Sequence, residues 1–188
     1  MENRITYDDN VARLAASHPA LFERGIPDYS DLKTGWYPLV DELCADIERE
    51  LAPELAKRFA VDQIKEKLGT LRFYWRLGDR GDLHFDIFTP GGTALSSVVK
   101  AKPSRAADAE IVNQARDRLR ELVDAACEAS ASVCQRCGAF GSIRRLAWVQ
   151  TLCDEHFVEI EKRYAKEAEK HAASDESDES DESEESDE

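Results

Sequence analysis

The chain has 188 residues, of which 42% are hydrophobic, and its formal net charge is −14. These values fit one globular domain with a real core, and no segment reaches the about 20 consecutive apolar residues of a membrane helix. The first thirty residues lack the basic start and apolar segment of a secretory signal, so we expect a cytoplasmic protein. In that compartment cysteines are free or bind metal and rarely form disulfides.

Most of the negative charge lies at the end of the chain. Residues 174–188 read SDESDESDESEESDE and contain ten acids and no base. Without them, 29 acids stand against 25 Lys and Arg, a net charge of −4. Because this segment has no apolar residue to bury, we predict that residues 173–188 form a disordered acidic tail. Such a tail keeps a chain soluble, competes with nucleic acid for a basic surface, or presents its serines to a kinase.

The spacing of apolar residues predicts four helices. The first covers about 7–17 and stops before Pro19, and the second runs over about 36–59 and is ended or kinked at Pro53. The third covers about 106–130 and the fourth about 154–172, while segments 25–35 and 89–105 are predicted loops. The buried stripe predicted for the third helix consists of Ile111, Ala115, Leu119, Leu122, Val123, Ala126 and Cys127.

Alternating apolar and polar residues predict an antiparallel β-hairpin at about 70–89, with a Gly/Asp loop at 78–82. One face of this hairpin is apolar and is expected to be buried, whereas the other is polar. The symmetric register predicts the buried pairs Leu77–Leu83, Trp75–Phe85 and Phe73–Ile87 and the polar pairs Arg76–His84 and Tyr74–Asp86.

The segment DQIKEKLGTLRFYW, residues 62–75, supplies a candidate contact surface. One interpretation is a solvated helix end, a turn at Gly69 and an edge strand whose charges block strand pairing. The other is a recognition surface, because a basic face with an aromatic residue suits an acidic protein or a phosphate backbone. The predicted partner-binding residues are Lys65, Lys67, Arg72, Tyr74 and Arg76.

Two short pairs of residues predict a metal site. Cys134 and Cys137 form a C-x-x-C turn followed by Gly138, and Cys153 and His156 are spaced as on the first turn of a helix. Three thiolates and one imidazole are a typical tetrahedral zinc set. The segment between the pairs has room for a short hairpin, and a knuckle, hairpin and helix together resemble a treble-clef finger.

The predicted zinc is structural. A catalytic zinc keeps an open position for water, whereas all four positions are filled here. Nearby arginines either balance the charge of the thiolates or contact phosphates. The residues expected to bind nucleic acid in that second interpretation are Arg136, Arg144, Arg145, Lys162 and Arg163. Cys44 and Cys127 lie on apolar stripes and are predicted core thiols.

Three segments, GWYPLVDELCADIE, DQIKEKLGTLRFYW and CQRCGAFGSIRRLAWVQTLCDEH, resemble in this order a family of uncharacterised small proteins from bacteria and their phages. The resemblance covers about 35–157. It implies a Gly-Trp helix, a KEKxGxLRFY strand and a C-terminal CxxC…CxxH finger, but no activity. The segment 78–110 and the acidic tail depart from it, and the phage association favours a small host-modulating protein.

We therefore expect an α+β fold: a small helical body with an antiparallel hairpin (1–132), a treble-clef-like zinc module (133–172) and the acidic tail. The expected function is a non-enzymatic, zinc-stabilised binding or regulatory protein whose partner is a protein. The alternative is a nucleic-acid-binding regulator that uses the finger, with the tail as a nucleic-acid mimic or autoinhibitor. No constellation of residues points to an enzyme, and no feature points to a membrane.

Overall fold

The computed structural model describes residues 7–78, 80–88, 94–102 and 109–178. Within them, the helices are α1 (Tyr7–Ser17), α2 (Tyr37–Glu50), α3 (Pro53–Ala56), α4 (Ala109–Ser130) and α5 (Asp154–Asp178), and a 3-10 turn covers Thr34–Trp36. The strands are β1 (Phe59–Lys67), β2 (Thr70–Leu77), β3 (Arg80–Gly81), β4 (Leu83–Phe88), β5 (Ala94–Val99), β6 (Ser142–Arg145) and β7 (Val149–Leu152). This mixture of helices and antiparallel hairpins confirms the predicted α+β class.

The main core lies between helices α1–α4 and one face of the sheet β1–β2–β3. Helices α2 and α4 pack against each other, and α4 also packs on β2. Trp36, Ile64, Leu71 and Leu119 are fully buried in this core. None of the helices in the described part of the chain is long and apolar enough to cross a membrane.

The predicted pairing of the hairpin at 70–89 is wrong. Strand β2 pairs with β1, which places Val61 opposite Trp75 and Ile64 opposite Phe73. The segment that we predicted to be a helix end is thus a strand. A β-bulge between Val61 and Gln63 shifts Ile64 onto the buried face, and this extra residue interrupts the period-two pattern that marks a strand.

A two-residue turn joins β1 to β2. Leu68 and Gly69 both have positive φ, 52° and 78°, as the type I′ hairpin turn requires. The polar pairs predicted across 70–89 are therefore also wrong, because Tyr74 lies opposite Gln63 and Arg76 opposite Ala60 and Gly81.

Strand β4 instead pairs with β5, which occupies part of the segment predicted to be a loop. His84 lies opposite Val98 and Asp86 opposite Ser96 in this second hairpin. Strand β3 contributes only two residues to the other sheet, where Leu77 pairs with Arg80. Residues 89–93 and 103–105 of the predicted loop, and 106–108 of the helix predicted to follow it, lie outside the described residues.

The helices follow the prediction more closely. Helix α1 has the predicted bounds, and Pro53 begins α3, as expected, but α3 ends at Ala56 because β1 begins at Phe59. On α4 the predicted stripe is wrong at Ile111, which is 61% exposed, while Val112 is buried. Helix α5 continues to Asp178, six residues beyond the expected end, and residues 179–188 of the acidic tail lie outside the described part.

Candidate metal centre

The four predicted metal ligands lie together. The ligand atoms of Cys134, Cys137, Cys153 and His156 are all within 4.8 Å of one another. The sulfurs of Cys137 and Cys153 are 3.9 Å apart, and Nδ1 of His156 lies 3.6 Å from Cys134 Sγ and 3.2 Å from Cys153 Sγ. A tetrahedral zinc ion would separate neighbouring sulfur and nitrogen ligands by about 3.5–3.8 Å. This cluster can hold a metal ion of that size.

A tight turn places the first two ligands. It follows α4 directly, and the N–H of Gly138 donates to the carbonyl oxygen of Cys134 at 2.8 Å. Gly138 has a φ of 80°, in the region that glycine adopts without a steric penalty. The glycine after the second cysteine therefore closes the turn that brings both sulfurs to one side.

The other two ligands come from the start of α5. The hairpin β6–β7 leads into Cys153, whose carbonyl oxygen accepts from the N–H of Phe157 at 2.9 Å. Cys153 and His156 thus lie on the same side of the first helical turn. Asp154 and Glu155 occupy that turn, where negative charge favours the helix N-terminus. The knuckle, hairpin and helix occur in the predicted order.

The environment of Cys134 favours its thiolate. Burial opposes ionisation of this thiol, but backbone N–H groups of Cys153, Cys137 and Arg136 donate to its sulfur, and together they lower its pKa to about 6. By contrast, the pKa of Cys137 is raised: the N–H of Ala139 favours its thiolate, but slight burial and the neighbouring sulfurs of Cys134 and Cys153 outweigh that effect. A cation within the cluster would favour the thiolate at every position.

A small apolar cluster packs around the candidate metal site. Cys134, Leu152 and Ile160 are buried together, and Phe157 and Tyr164 of α5 pack against them. This second core is much smaller than the first. It therefore offers little hydrophobic stabilisation of its own, as expected for a module held by a metal.

The candidate metal centre packs against the Gly-Trp turn of the body, at Gly35 and Trp36. The N–H of Gly35 donates to the carbonyl oxygen of Gln135 at 3.0 Å, and Nε1 of the buried Trp36 donates to that of Val133 at 2.8 Å. A Cβ atom at Gly35 would overlap the carbonyl oxygen of Cys134 and lie 2.8 Å from the nitrogen of Cys137. Position 35 must therefore be glycine for the two backbones to meet.

The turn between β1 and β2 makes the second contact with the metal module. The hydroxyl of Thr151 donates to the carbonyl oxygen of Gly69 at 2.5 Å, and a Cβ on Gly69 would lie 3.2 Å from the backbone of Gln150. Glu66 accepts from the N–H of Gly69 at 2.5 Å and from Nε1 of Trp148 at 3.2 Å. The distinctive Gly-Trp and KEKLG segments thus both contact the metal module, which sequence reasoning missed because these contacts join distant parts of the chain.

The five basic residues of the nucleic-acid alternative differ in exposure and in the ion pairs that they form. Arg136 pairs with Glu159 at 3.0 Å, and Arg144 pairs with Asp154 and lies over the ring of Phe157. These two arginines neutralise acids of α5. Arg145 and Lys162 are exposed, and the exposed Arg163 lies 3.7 Å from Glu167.

The predicted partner-binding residues lie on the outer face of β1 and β2. Lys65 lies directly opposite Arg72, and the ammonium of Lys65 stands 4.9 Å from the ring centre of Tyr74. Arg76 forms an ion pair with Asp62 on the neighbouring strand. Lys67 is at the end of the same face, next to the turn. These residues form the basic face, defined as Lys65, Lys67, Arg72, Tyr74 and Arg76.

The remaining thiols lie in the main core. Cys44 is fully buried and Cys127 partly buried, and burial raises the pKa of both thiols. This matches the predicted core positions. His18 directly follows α1 and is 7% exposed, with its Nδ1 2.9 Å from Glu48 and its Nε2 3.3 Å from Asp41. This histidine therefore ties the end of α1 to α2.

No protein-family model, no curated protein and no solved structure matches the chain. The features of the chain that bear on its function are therefore the candidate metal centre and the basic face.

Proposed function

We propose that this chain is a non-enzymatic, zinc-stabilised binding protein whose partner is another protein. The observation that carries the proposal is the convergence of the four ligand side chains, whose ligand atoms all lie within 4.8 Å of one another. The resemblance to small bacterial and phage proteins is part of the support for this proposal, and it favours a host protein as the partner.

Zinc is the metal that this ligand set favours. Three thiolates and one imidazole are soft and borderline donors that suit Zn²⁺, whereas Mg²⁺ and Ca²⁺ prefer oxygen. Four protein ligands complete a tetrahedron and leave no position for a reactive water. The proposed role of the metal is therefore to stabilise the fold, and the residues that hold it are Cys134, Cys137, Cys153 and His156.

A structural role for the metal also agrees with the position of the candidate metal site in the fold. Both segments that contact the metal module, at Gly35 and Gly69, belong to the body. The second of them is the turn of the β1–β2 ribbon that carries the basic face. A bound metal would hold this turn against β7 and thus contribute to the shape of the proposed binding surface.

The first experiment measures zinc per chain and partner capture together. The intact protein should contain one equivalent of zinc by elemental analysis. The Cys137→Ser variant should lose it, and Cys127→Ser, which changes a thiol outside the cluster, should keep it. Proximity cross-linking in host lysate should then yield a discrete protein with wild type, and not with Cys137→Ser. A zinc-free wild-type protein would contradict the proposal. So would capture of the same partner protein by the Cys137→Ser and Cys127→Ser variants.

Nucleic-acid binding through the finger is the second candidate. The exposed side chains of Arg145 and Lys162 favour it. Such binding should weaken steeply with salt and strengthen in a chain that ends at Ala173, because the truncation removes ten acids. Binding that is insensitive to salt and to this truncation would argue against the finger as a nucleic-acid reader.

A further inference from the structure

We infer that the basic face recognises an acidic polypeptide segment, that is, a run of Asp and Glu side chains on the partner protein. This inference rests on the proposed function and names the chemistry of the partner. It follows from the charge balance of the face, from an unfavourable contact within it, and from what covers its aromatic ring and its strand edges.

The basic face has the opposite sign to the rest of the molecule. It carries the cations of Lys65, Lys67, Arg72 and Arg76, and Arg76 is paired with the carboxylate of Asp62. The side chain of Glu66 belongs to the other side of the strand, where it binds Trp148 and the turn. The chain without its acidic tail has a net charge of −4, so a positive surface here is a local feature.

Two of these cations repel each other in the fold. Lys65 and Arg72 are directly opposite in the β1–β2 register, and like charges in that relation destabilise a sheet. Arg72 donates to two neutral oxygens, the hydroxyl of Thr70 and the carbonyl of Leu71. Among the described residues, no carboxylate lies within ion-pair distance of either cation. An incoming carboxylate would relieve this repulsion, so binding gains more there than at a balanced surface.

The aromatic residue of the face favours a peptide over a nucleic acid. Single-stranded nucleic acids bind aromatic side chains by stacking bases on an open ring. One side of the Tyr74 ring is covered by the ammonium of Lys65 at 4.9 Å, and the side chain is only partly exposed.

The strand edges show how the segment would bind. On β1, Ile64 receives a hydrogen bond from the N–H of Asp31 at 2.7 Å and donates its own N–H to Ser30 at 3.1 Å. On β2, the N–H of Leu71 donates to Ser130 at 2.8 Å. Because the middle of both edges is already occupied, a partner strand would not extend the sheet there. The acidic segment would instead lie across the face and bind through its side chains.

The test uses fluorescence anisotropy with a labelled 15-residue peptide of the sequence SDESDESDESEESDE. The full chain should bind this peptide, and the Lys65→Glu/Arg72→Glu variant should bind it at least about ten-fold more weakly. The matched control is Lys166→Glu/Lys170→Glu, which makes the same charge change at exposed positions of α5 and should leave the affinity within about two-fold of wild type. Zinc content and circular dichroism establish that each variant is folded.

A 15-nucleotide single-stranded DNA in the same buffer separates the partner classes. Tighter binding of the DNA, lost in Lys65→Glu/Arg72→Glu, would overturn the polypeptide partner while leaving the basic face as a binding site. Equal peptide binding by wild type and the face variant would place the site elsewhere and overturn the inference. Failure to bind either probe would also overturn it, whereas the zinc and capture experiment decides the proposed function separately.

Discussion

Gly35 is the residue at which the body and the metal centre come closest. A Cβ atom there would overlap the carbonyl oxygen of Cys134 and lie 2.5 Å from the nitrogen of Gly138. Both are backbone atoms of the knuckle, so neither can rotate away as a side-chain end would. The requirement for glycine at this position thus comes from close packing, since the backbone of Gly35 itself is not in the left-handed region.

We therefore expect Gly35→Ala to destabilise the fold by about 3 kcal/mol or more, because the knuckle must move to admit a methyl group. The matched control is Gly25→Ala. Gly25 has a φ of 96° and nothing within 4 Å of an added Cβ, so this change should cost only the backbone strain, about 1 kcal/mol. Urea unfolding measures both values. Equal losses in the two variants would contradict the close contact at Gly35.

Trp36 contributes a hydrogen bond as well as buried surface. Its indole N–H donates to the carbonyl oxygen of Val133 at 2.8 Å, and the side chain is fully buried. Trp36→Phe keeps an aromatic ring but leaves that carbonyl without its donor, so we expect a loss of about 1–3 kcal/mol from the hydrogen bond, with a further loss from the smaller ring. Unfolding in urea gives the value. A loss well below 1 kcal/mol would show that the indole bond is unimportant.

At the scale of elements, one ion pair ties the loop before β4 to α4. Arg120 donates to both carboxylate oxygens of Asp82, at 2.7 and 2.9 Å, and the N–H of Ala101 donates to the same carboxylate at 2.8 Å. The side chains are 15% and 13% exposed. This carboxylate raises the pKa of Arg120, mainly through the hydrogen bonds, so the arginine remains charged. The hairpin β4–β5 is thereby held at its base.

Removing the charge of Asp82 should release this hairpin. We expect Asp82→Asn to cost on the order of 3 kcal/mol, because Arg120 would remain largely buried without its main counter-ion. Hydrogen exchange should show faster exchange in β4 and β5 than in β1 and β2. Asp117→Asn removes the other acid that pairs with Arg120, but Asp117 is 70% exposed, and this control should cost less than about 1 kcal/mol. Equal losses of stability in the two variants would argue against the ion pair between Asp82 and Arg120 as the interaction that holds the hairpin β4–β5.

The sequence was most informative where the deciding interactions are local. The cluster of three cysteines and one histidine follows from two three-residue spacings, and α1 and α4 follow from apolar periodicity and from proline positions. The pairing of the strands was not predictable in the same way. The bulge before Gln63 conceals the pattern of β1, and Leu68–Gly69 forms its turn without the usual Asn-Gly or Asp-Gly signal, whereas the Gly/Asp loop after β2 offers a stronger but misleading one.

Contacts between distant parts of the chain were also beyond sequence reasoning. Trp36 and Val133 are 97 residues apart, and Thr151 and Gly69 are 82 apart. No local pattern marks which residues of two such segments will meet. The glycines at 35 and 69 are visible in the sequence, but their meaning depends on the backbone that approaches them.

At the scale of the whole molecule, the metal module and the body form one structure. The body contacts the module at the Gly-Trp turn and at the β1–β2 turn, where hydrogen bonds join Gly35 to Gln135, Trp36 to Val133 and Gly69 to Thr151. The expected boundary between the body and the metal module at residue 132 is therefore a boundary in the sequence, but several buried hydrogen bonds connect the two parts. A change in the metal centre should consequently affect the body.

Removal of the metal tests this coupling. We expect a strong chelator to lower the free energy of unfolding of the whole chain by at least about 3 kcal/mol, which corresponds to roughly 6–12 °C in Tm for a chain of this size. Near-ultraviolet circular dichroism, which reports buried tryptophan, and far-ultraviolet circular dichroism should change in a single transition. The same chelator already saturated with zinc should have no effect. Two separate transitions, with the helical signal of the body retained at the first, would instead mean that the module unfolds alone and that its contacts with Gly35, Trp36 and Gly69 contribute little to the stability of the body.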